Sequence, residues 1–292
     1  MSMENVVDRY CWEEHRKILT PRESGVPALQ TFGLSSLNRA GQPLGTHVHE
    51  GCMEIVFLVK GFQIYEAGGA GFNLSGSDIF VAYPGEPHSS GSYPESVCDL
   101  IWMQVNLADP IPFFGLDQDH AKYLRESLRT LPRLFSGDMA LRNTLTEAFY
   151  GLARGTEEER YLAEQKLAFS LFRMKQLSKK PVPRRTDSIG EALAFIHANL
   201  GEPILLEDAA ACCGLSLSRF KVKFKEETGV TPREYINHVK IQQAKRLLEQ
   251  GASVTDTALD LGFTTPNYFA VMFKKYTGQT PSEYQSYGAN RR

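Results

Sequence analysis

Four side chains in the first third of the chain have the types and spacing to hold a metal ion. They lie in Gly41-x5-His47-x-His49-x4-Glu54-x6-Gly61 and in Gly85-x2-His88. Side chains alternate along a strand, so His47 and His49 point to one side, and inside a small barrel that side is the lumen. Three imidazoles and a carboxylate suit Zn, Fe, Mn, Ni or Cu, with positions left open for water or a ligand. The plainer alternative is a set of histidines that only hydrogen-bond inside the barrel.

The first of these patterns resembles the first cupin motif at every spacing. The second cupin motif is partial, with Tyr83 where a proline is common and Ser92 where an asparagine is usual. The resemblance implies a small β-barrel in which neighbouring strands bring Glu54 and His88 to the two histidines.

The surrounding sequence has the elements such a barrel needs. Between residues 29 and 107, short β-branched and aromatic runs are separated by Gly and Pro clusters, which predicts strands. Gly68, Gly69 and Gly71 mark a hairpin. In the run Leu100–Leu107, Leu100, Trp102, Gln104 and Asn106 share one face, and Ile101, Met103, Val105 and Leu107 share the other. An aromatic plate with two amides suits a sugar-like effector if it lines the lumen; a buried structural tryptophan is the alternative. Tyr65 and Tyr83 are further candidates. Helical spacing over 117–132, 137–153 and 157–177 predicts supporting helices.

A second kind of chemistry lies near the C-terminus. Residues 224–235, FKEETGVTPREY, recur 49 positions later as FKKYTGQTPSEY. A structural unit has been used twice. The first unit is expected to hold a helix from Leu205 to Cys213, a turn at Gly214–Ser216 and a helix from Leu217 to Glu227. The second repeats the plan with Val254–Leu261, a turn at Gly262–Thr264 and Pro266–Tyr276. A long helix from Pro232 to Gln250 joins them. Ser188 and Glu191 read as a capping box that opens the domain. Adjacent Cys212 and Cys213 fall on an apolar helix face and read as buried thiols.

In a helix–turn–helix the second helix enters the major groove, where base edges differ in donors and acceptors. Phe220 and Phe224, and likewise Phe269 and Phe273, should face inward. That leaves Ser218, Arg219, Lys221, Val222 and Lys225 outward on the first such helix. On the second, Asn267, Val271, Lys274 and Lys275 remain outward, with Ala270. Asn267 can read adenine, Lys221 can reach guanine or phosphate, and the valines can touch thymine methyls. The hydroxyls of Ser216 and Thr265, at the helix starts, suit phosphates.

These residues resemble the AraC/XylS family of transcription regulators over the last 105 or so residues. The likeness rests on Lys240-Ile-Gln-Gln-Ala-Lys-Arg-Leu-Leu, Ala258, Leu261-Gly262-Phe263, Tyr268-Phe269, Phe273-Lys274-Lys275, Gly278 and Thr280-Pro281. It implies two helix–turn–helix units reading adjacent major-groove segments of double-stranded DNA, and a cupin-type effector domain. It also implies a homodimer formed through the helices at 117–177 and, for an activator, contact with RNA polymerase. Thr257 stands where the family has a large aliphatic residue, so looser packing of the second unit is expected.

The fold expected is therefore two-domain. Residues 1–177 form a cupin-like β-barrel (about 20–110) with helices at 117–177. Residues 178–187 link this to an all-α double helix–turn–helix domain at 188–292. Residues 1–183 carry 18 basic and 22 acidic side chains, and 184–292 carry 14 and 12. The basic excess of the second part is small, so placement of its lysines matters more than their number. No apolar run reaches the length of a membrane span and no signal peptide opens the chain, so a cytoplasmic protein without a membrane partner is expected. Five cysteines without zinc-knuckle spacing agree with a reducing compartment. A non-enzymatic regulator of a carbohydrate or related metabolite is the reading, with a metal-dependent cupin enzyme tethered to DNA, or a direct metal sensor, as rivals.

Overall fold

The computed structural model describes residues 4–5, 8–180 and 186–289. Two compact units emerge. One comprises residues 1–183 without 38–42 and 94–97, and the other comprises those two segments with 184–292. Residues 181–185 of the expected linker lie outside the described residues.

The first unit holds β1 (Glu4–Asn5), β2 (Cys11–Trp12), β3 (Arg16–Leu19), α1 (Pro21–Ser24), β4 (Leu29–Leu37), β5 (His47–Val48), β6 (Cys52–Ala67) and β7 (Ala70–Ser75). It continues with β8 (Asp78–Ala82), β9 (His88–Ser89), β10 (Cys98–Asn106), α2 (Gln118–Arg129), β11 (Leu134–Ser136), α3 (Met139–Arg154) and α4 (Glu157–Leu177). Among the described residues these strands make one eleven-stranded sheet in the order β1-β5-β9-β6-β10-β4-β3-β2, with β7 and β8 also on β6 and β11 on β8. β1 pairs β5 in parallel, and the other pairs are antiparallel. The long β6 curls the sheet into a half-barrel: its first half pairs β10 and β8, its second half β7 and β9.

β1–β3 precede residue 20, where the barrel was expected to begin. They are two to four residues long and partly charged, so no alternation announces them. Gly68 and Gly69 both take positive φ in the β6–β7 hairpin, the conformation a two-residue turn requires.

Alternation along β10 divides the core in two. Ile101, Met103, Val105 and Leu107 pack with Leu124, Phe149 and Leu171 of the helices. Leu100 and Trp102 pack on the other face with Val56, Leu58, Tyr65 and Phe80. The helices start on good caps: Asp117 accepts from His120 N–H, Asp138 from Leu141 N–H, and Thr156 with Glu159 forms a capping box.

The second unit is helical: α5 (Asp187–Ala198), α6 (Leu206–Ala211), α7 (Leu217–Thr228), α8 (Pro232–Glu249), α9 (Val254–Asp260), α10 (Pro266–Thr277) and α11 (Pro281–Ala289). The capping box expected at Ser188 and Glu191 does not form. The cap residue is Thr186, two positions earlier, and Glu227 of α7 accepts from its N–H and hydroxyl. A distant carboxylate thus does the work that the local pattern assigned to Glu191. Cys212, expected to be buried, is exposed, because α6 ends at Ala211 and turns it outward.

The 49-residue repeat is physical as well as textual. Gly229 and Gly278 both close their helices with positive φ. The hydroxyls of Thr228 and Thr277 both donate to the carbonyl of a core phenylalanine. Phe224 meets Tyr235 edge-on at 5.5 Å, and Phe273 meets Tyr284 the same way at 5.4 Å. α8 gives Ile236 to the first core and Ile241, Ala244 and Leu248 to the second. Between these lies Lys240, buried, whose ammonium donates to the Glu202 and Leu261 carbonyls. Among the described residues, no helix is long and apolar enough to cross a membrane.

Candidate ligand pocket and DNA-reading helices

Register builds the pocket. Thr31 on β4, Gln104 on β10 and Glu54 on β6 are successive cross-strand partners, so their side chains form a row on one face. His47 on β5 pairs His88 on β9, and His49 follows just past the end of β5. The four metal candidates come together here, all buried, with one ligand atom from each lying within 4.8 Å of every other.

The rings are oriented from behind. Nδ1 of His47 lies 2.8 Å from the Gly45 carbonyl, and Nδ1 of His88 lies 3.0 Å from the Glu86 carbonyl. An N–H donated to a carbonyl leaves Nε2 facing inward, the arrangement that metal-binding histidines use. Glu86 is itself held by an ion pair with Arg133. Nε2 of His88 is 2.6 Å from Glu54 Oε2. Burial would raise the Glu54 pKa, but hydrogen bonds from His49 and His88 hold it well below the carboxylate range. Burial pulls His88 down, and the Glu54 carboxylate more than restores it, so its pKa is raised. Burial lowers His47. The Glu54 carboxylate thus favours a positive charge on the imidazole beside it, and a bound cation would serve the same carboxylate. A cleft of about 440 Å³, lined by Thr46, Glu66, Pro87 and His88 among others, opens beside it.

Trp102 and Gln104 line the same face. Trp102 lies across Gly33, where an added Cβ would fall 2.2 Å from the indole. Its Nε1–H donates to Asp8 over 3.2 Å, and the Gln104 amide donates to the same oxygen over 3.2 Å. The Gln104 nitrogen also lies 3.1 Å from Nε2 of His49, and its oxygen accepts from the Thr31 hydroxyl. Tyr65 stacks on Phe80 in the lumen-side core. Asn106 is not gathered with Trp102 and Gln104: its amide oxygen accepts from Ala108 N–H at the strand's end. Tyr83 also falls elsewhere. It packs on the helix-side core and donates to the Leu131 carbonyl. Asp8, Arg16 and Thr31, absent from the sequence-based site, belong to this pocket.

In the second unit, α7 and α10 present equivalent surfaces. Phe220, Phe224, Phe269 and Phe273 are buried. Ser218, Arg219, Lys221, Val222 and Lys225 are exposed on α7, as are Asn267, Val271, Lys274 and Lys275 on α10. Ala270 is half-buried and Tyr268 is exposed. Ser216 and Thr265 accept the backbone N–H groups of Arg219 and Tyr268, which leaves each hydroxyl proton free to donate outward. Offset by 49, Val222 matches Val271 and Lys225 matches Lys274, whereas Ser218, Arg219 and Lys221 meet Asn267, Tyr268 and Ala270.

A helix-turn-helix domain family matches residues 209–287. Over 85 residues the chain is 34% identical to the transcriptional activator RhaS of Klebsiella pneumoniae strain 342, covering 29% of this chain and 31% of that one. Over 241 residues it is 26% identical to the activator RhaR of Klebsiella pneumoniae subsp. pneumoniae, covering 77% and 82%. The chain thus spans about a third of the length of RhaS and more than four-fifths of RhaR. A solved transcriptional regulator with an AraC-type DNA-binding domain, from Chromobacterium violaceum, is 26% identical over 36% of this chain and 96% of that one, with a TM-score of 0.34. The duplicated helices and these likenesses agree for the C-terminal part: residues 209–287 form a helix-turn-helix domain similar to those of AraC-type transcription regulators.

Proposed function

We propose that this protein is an effector-responsive transcription activator that binds DNA as a homodimer. The reading rests chiefly on α7 and α10, two matched helices with buried phenylalanine faces and exposed polar and basic ones. Each enters a major groove, with Lys225 and Lys274 at phosphates and with Asn267, Ser218 and Lys221 at base edges. Activation, the role that RhaS and RhaR are named for, brings in RNA polymerase as a partner.

The half-barrel is the effector site, with Trp102 and Gln104 on its floor. The effector is a small polar molecule of the carbohydrate class. The donor set fits a divalent transition metal: three imidazoles, two of them oriented by backbone carbonyls, and a carboxylate, buried and mutually close. His47, His49, Glu54 and His88 would hold it, and it would supply a Lewis-acidic centre for oxygen atoms of the effector. The chain's own part is to fix those four groups, exclude water from them and present the Gln104 amide beside them.

The dimer forms through α4. Leu162, Gln165, Phe169 and Phe172 recur at spacings of three and four, and Leu162 and Phe169 are 50% and 56% exposed. Leu162 and Phe169, seven residues apart on one side of the helix, are the exposed apolar pair that a second copy of α4 would cover. Selection of bound sequences from a random DNA pool tests the whole reading. The expected product is a site with two unlike elements about 10 bp apart per domain, one helical turn. Recovery of no enriched sequence would remove the DNA-reading assignment.

A further inference from the structure

Among the described residues, the groups that meet Asp8 are all hydrogen-bond donors. The Trp102 indole nitrogen and the Arg16 guanidinium can only donate. Gln104 has both kinds of atom, but its oxygen is taken by the Thr31 hydroxyl, so only its N–H groups face the pocket. Trp102 and Gln104 are 5% and 2% exposed. Arg16 lies 4.9 Å from the Trp102 ring and 3.7 Å from Asp8 Oδ1. A point ringed by donors alone is matched by an anion with several lone pairs, not by a hydroxyl, which brings a proton of its own. In this structure the anion is the side chain of Asp8.

Asp8 reaches this point from the N-terminal segment, whose hold on the sheet through β1 is two residues of pairing. So short a pairing opens at small cost. The second N–H of Gln104 points to His49. A molecule with its acid group in the place of Asp8 would therefore have its next atoms beside the His/Glu cluster. We infer that the effector carries a carboxylate, which displaces Asp8 from Trp102, Gln104 and Arg16. The class is a hydroxylated carboxylic acid: the acid group binds the donors and the hydroxyls face the cluster. This inference rests on the half-barrel being the effector site, and it narrows the effector from sugar-like to acidic.

The full chain, with and without Asp8→Ala, is titrated with sodium acetate against sodium chloride at equal ionic strength, following thermal unfolding and tryptophan fluorescence. Acetate is expected to raise the unfolding midpoint of Asp8→Ala but not that of the wild type. Adding Arg16→Gln to Asp8→Ala should abolish the response, which separates this place from acetate captured at the histidines. Asp8→Asn keeps the shape and removes the charge, and should respond between the two if Asp8→Ala folds poorly. D-Galacturonate should bind Asp8→Ala on the order of tenfold tighter than D-galactose does, and tighter than it binds the wild type. Equal acetate response in wild type and variant, response in neither, or D-galactose binding as tightly as its acid, would overturn the inference. In the last case the effector pocket itself would stand. Acetate rescue without any change in DNA binding would uphold the inference and count against the regulator reading alone.

Discussion

At the scale of single residues, two of the proposed metal ligands, His47 and His88, are held from behind as well as presented in front. Gly45 and Glu86 carbonyls fix His47 and His88, and Arg133 fixes Glu86. Near-stoichiometric transition metal is expected in the purified chain. The double variant His47→Ala/His49→Ala should lose it, by elemental analysis of protein prepared without chelators or a metal-carrying tag. Metal content equal in the two, or absent from both, would leave the cluster as a hydrogen-bonding core. On α10, Asn267 stands at the exposed N-terminal end, where a side chain meets base edges. Asn267→Ala should cost about 1–3 kcal/mol at one base position and leave the others unchanged. Binding measured on a set of single-base operator variants decides it, and an unchanged profile would move the reading face elsewhere.

At the scale of elements, two polar groups of α8 and α9, half-buried His238 and buried Thr257, bear on the stability of the second unit. Burial lowers the His238 pKa to about 4, with Lys245 adding to the effect. A group whose folded pKa lies below its ordinary 6.5 leaves the unfolded chain holding more protons between those values. Stability therefore falls as pH drops from about 6.5 toward 4, by an amount on the order of 2–3 kcal/mol. His238→Gln should flatten that slope in urea unfolding over pH 4.5–7. A parallel loss in variant and wild type would assign the slope to carboxylates. Thr257 is fully buried on α9, and its hydroxyl has no hydrogen-bond partner among the described residues. Thr257→Val, close in shape, should raise stability by about 1 kcal/mol in the same assay.

The elements also show why some of the molecule was legible in sequence. The helix–turn–helix units were readable because a repeat states the same capping and core residues twice. His47, His49 and Glu54 were readable because strand period fixes which side chains converge. Asp8 was not, since its partners Trp102 and Gln104 lie 94 and 96 residues away, and no local pattern records so distant a contact. Asn106 misled for a related reason. Alternation assigns a face, but a strand end can turn a side chain back to its own backbone, as at Ala108.

At the scale of the whole molecule, the exposed apolar pair on α4 predicts how copies associate. Phe169→Glu puts a charge in place of one member of the pair and should shift sedimentation from dimer to monomer at micromolar concentration. Cognate DNA should then be bound with lower apparent affinity, because the link between two DNA-binding domains is lost. A variant that stays dimeric would place the interface off this face.

The two copies in the DNA-binding unit are joined in sequence rather than supplied by two chains, and their exposed faces differ at 218/267, 219/268 and 221/270. On the proposed reading each chain therefore meets its DNA with an arrow: one end of the site would belong to α7 and the other to α10. A palindrome is no longer required of the operator, and reversing one site end for end is a different instruction from leaving it in place. The orientation of a binding site relative to the gene beside it would then become a variable that such a chain distinguishes.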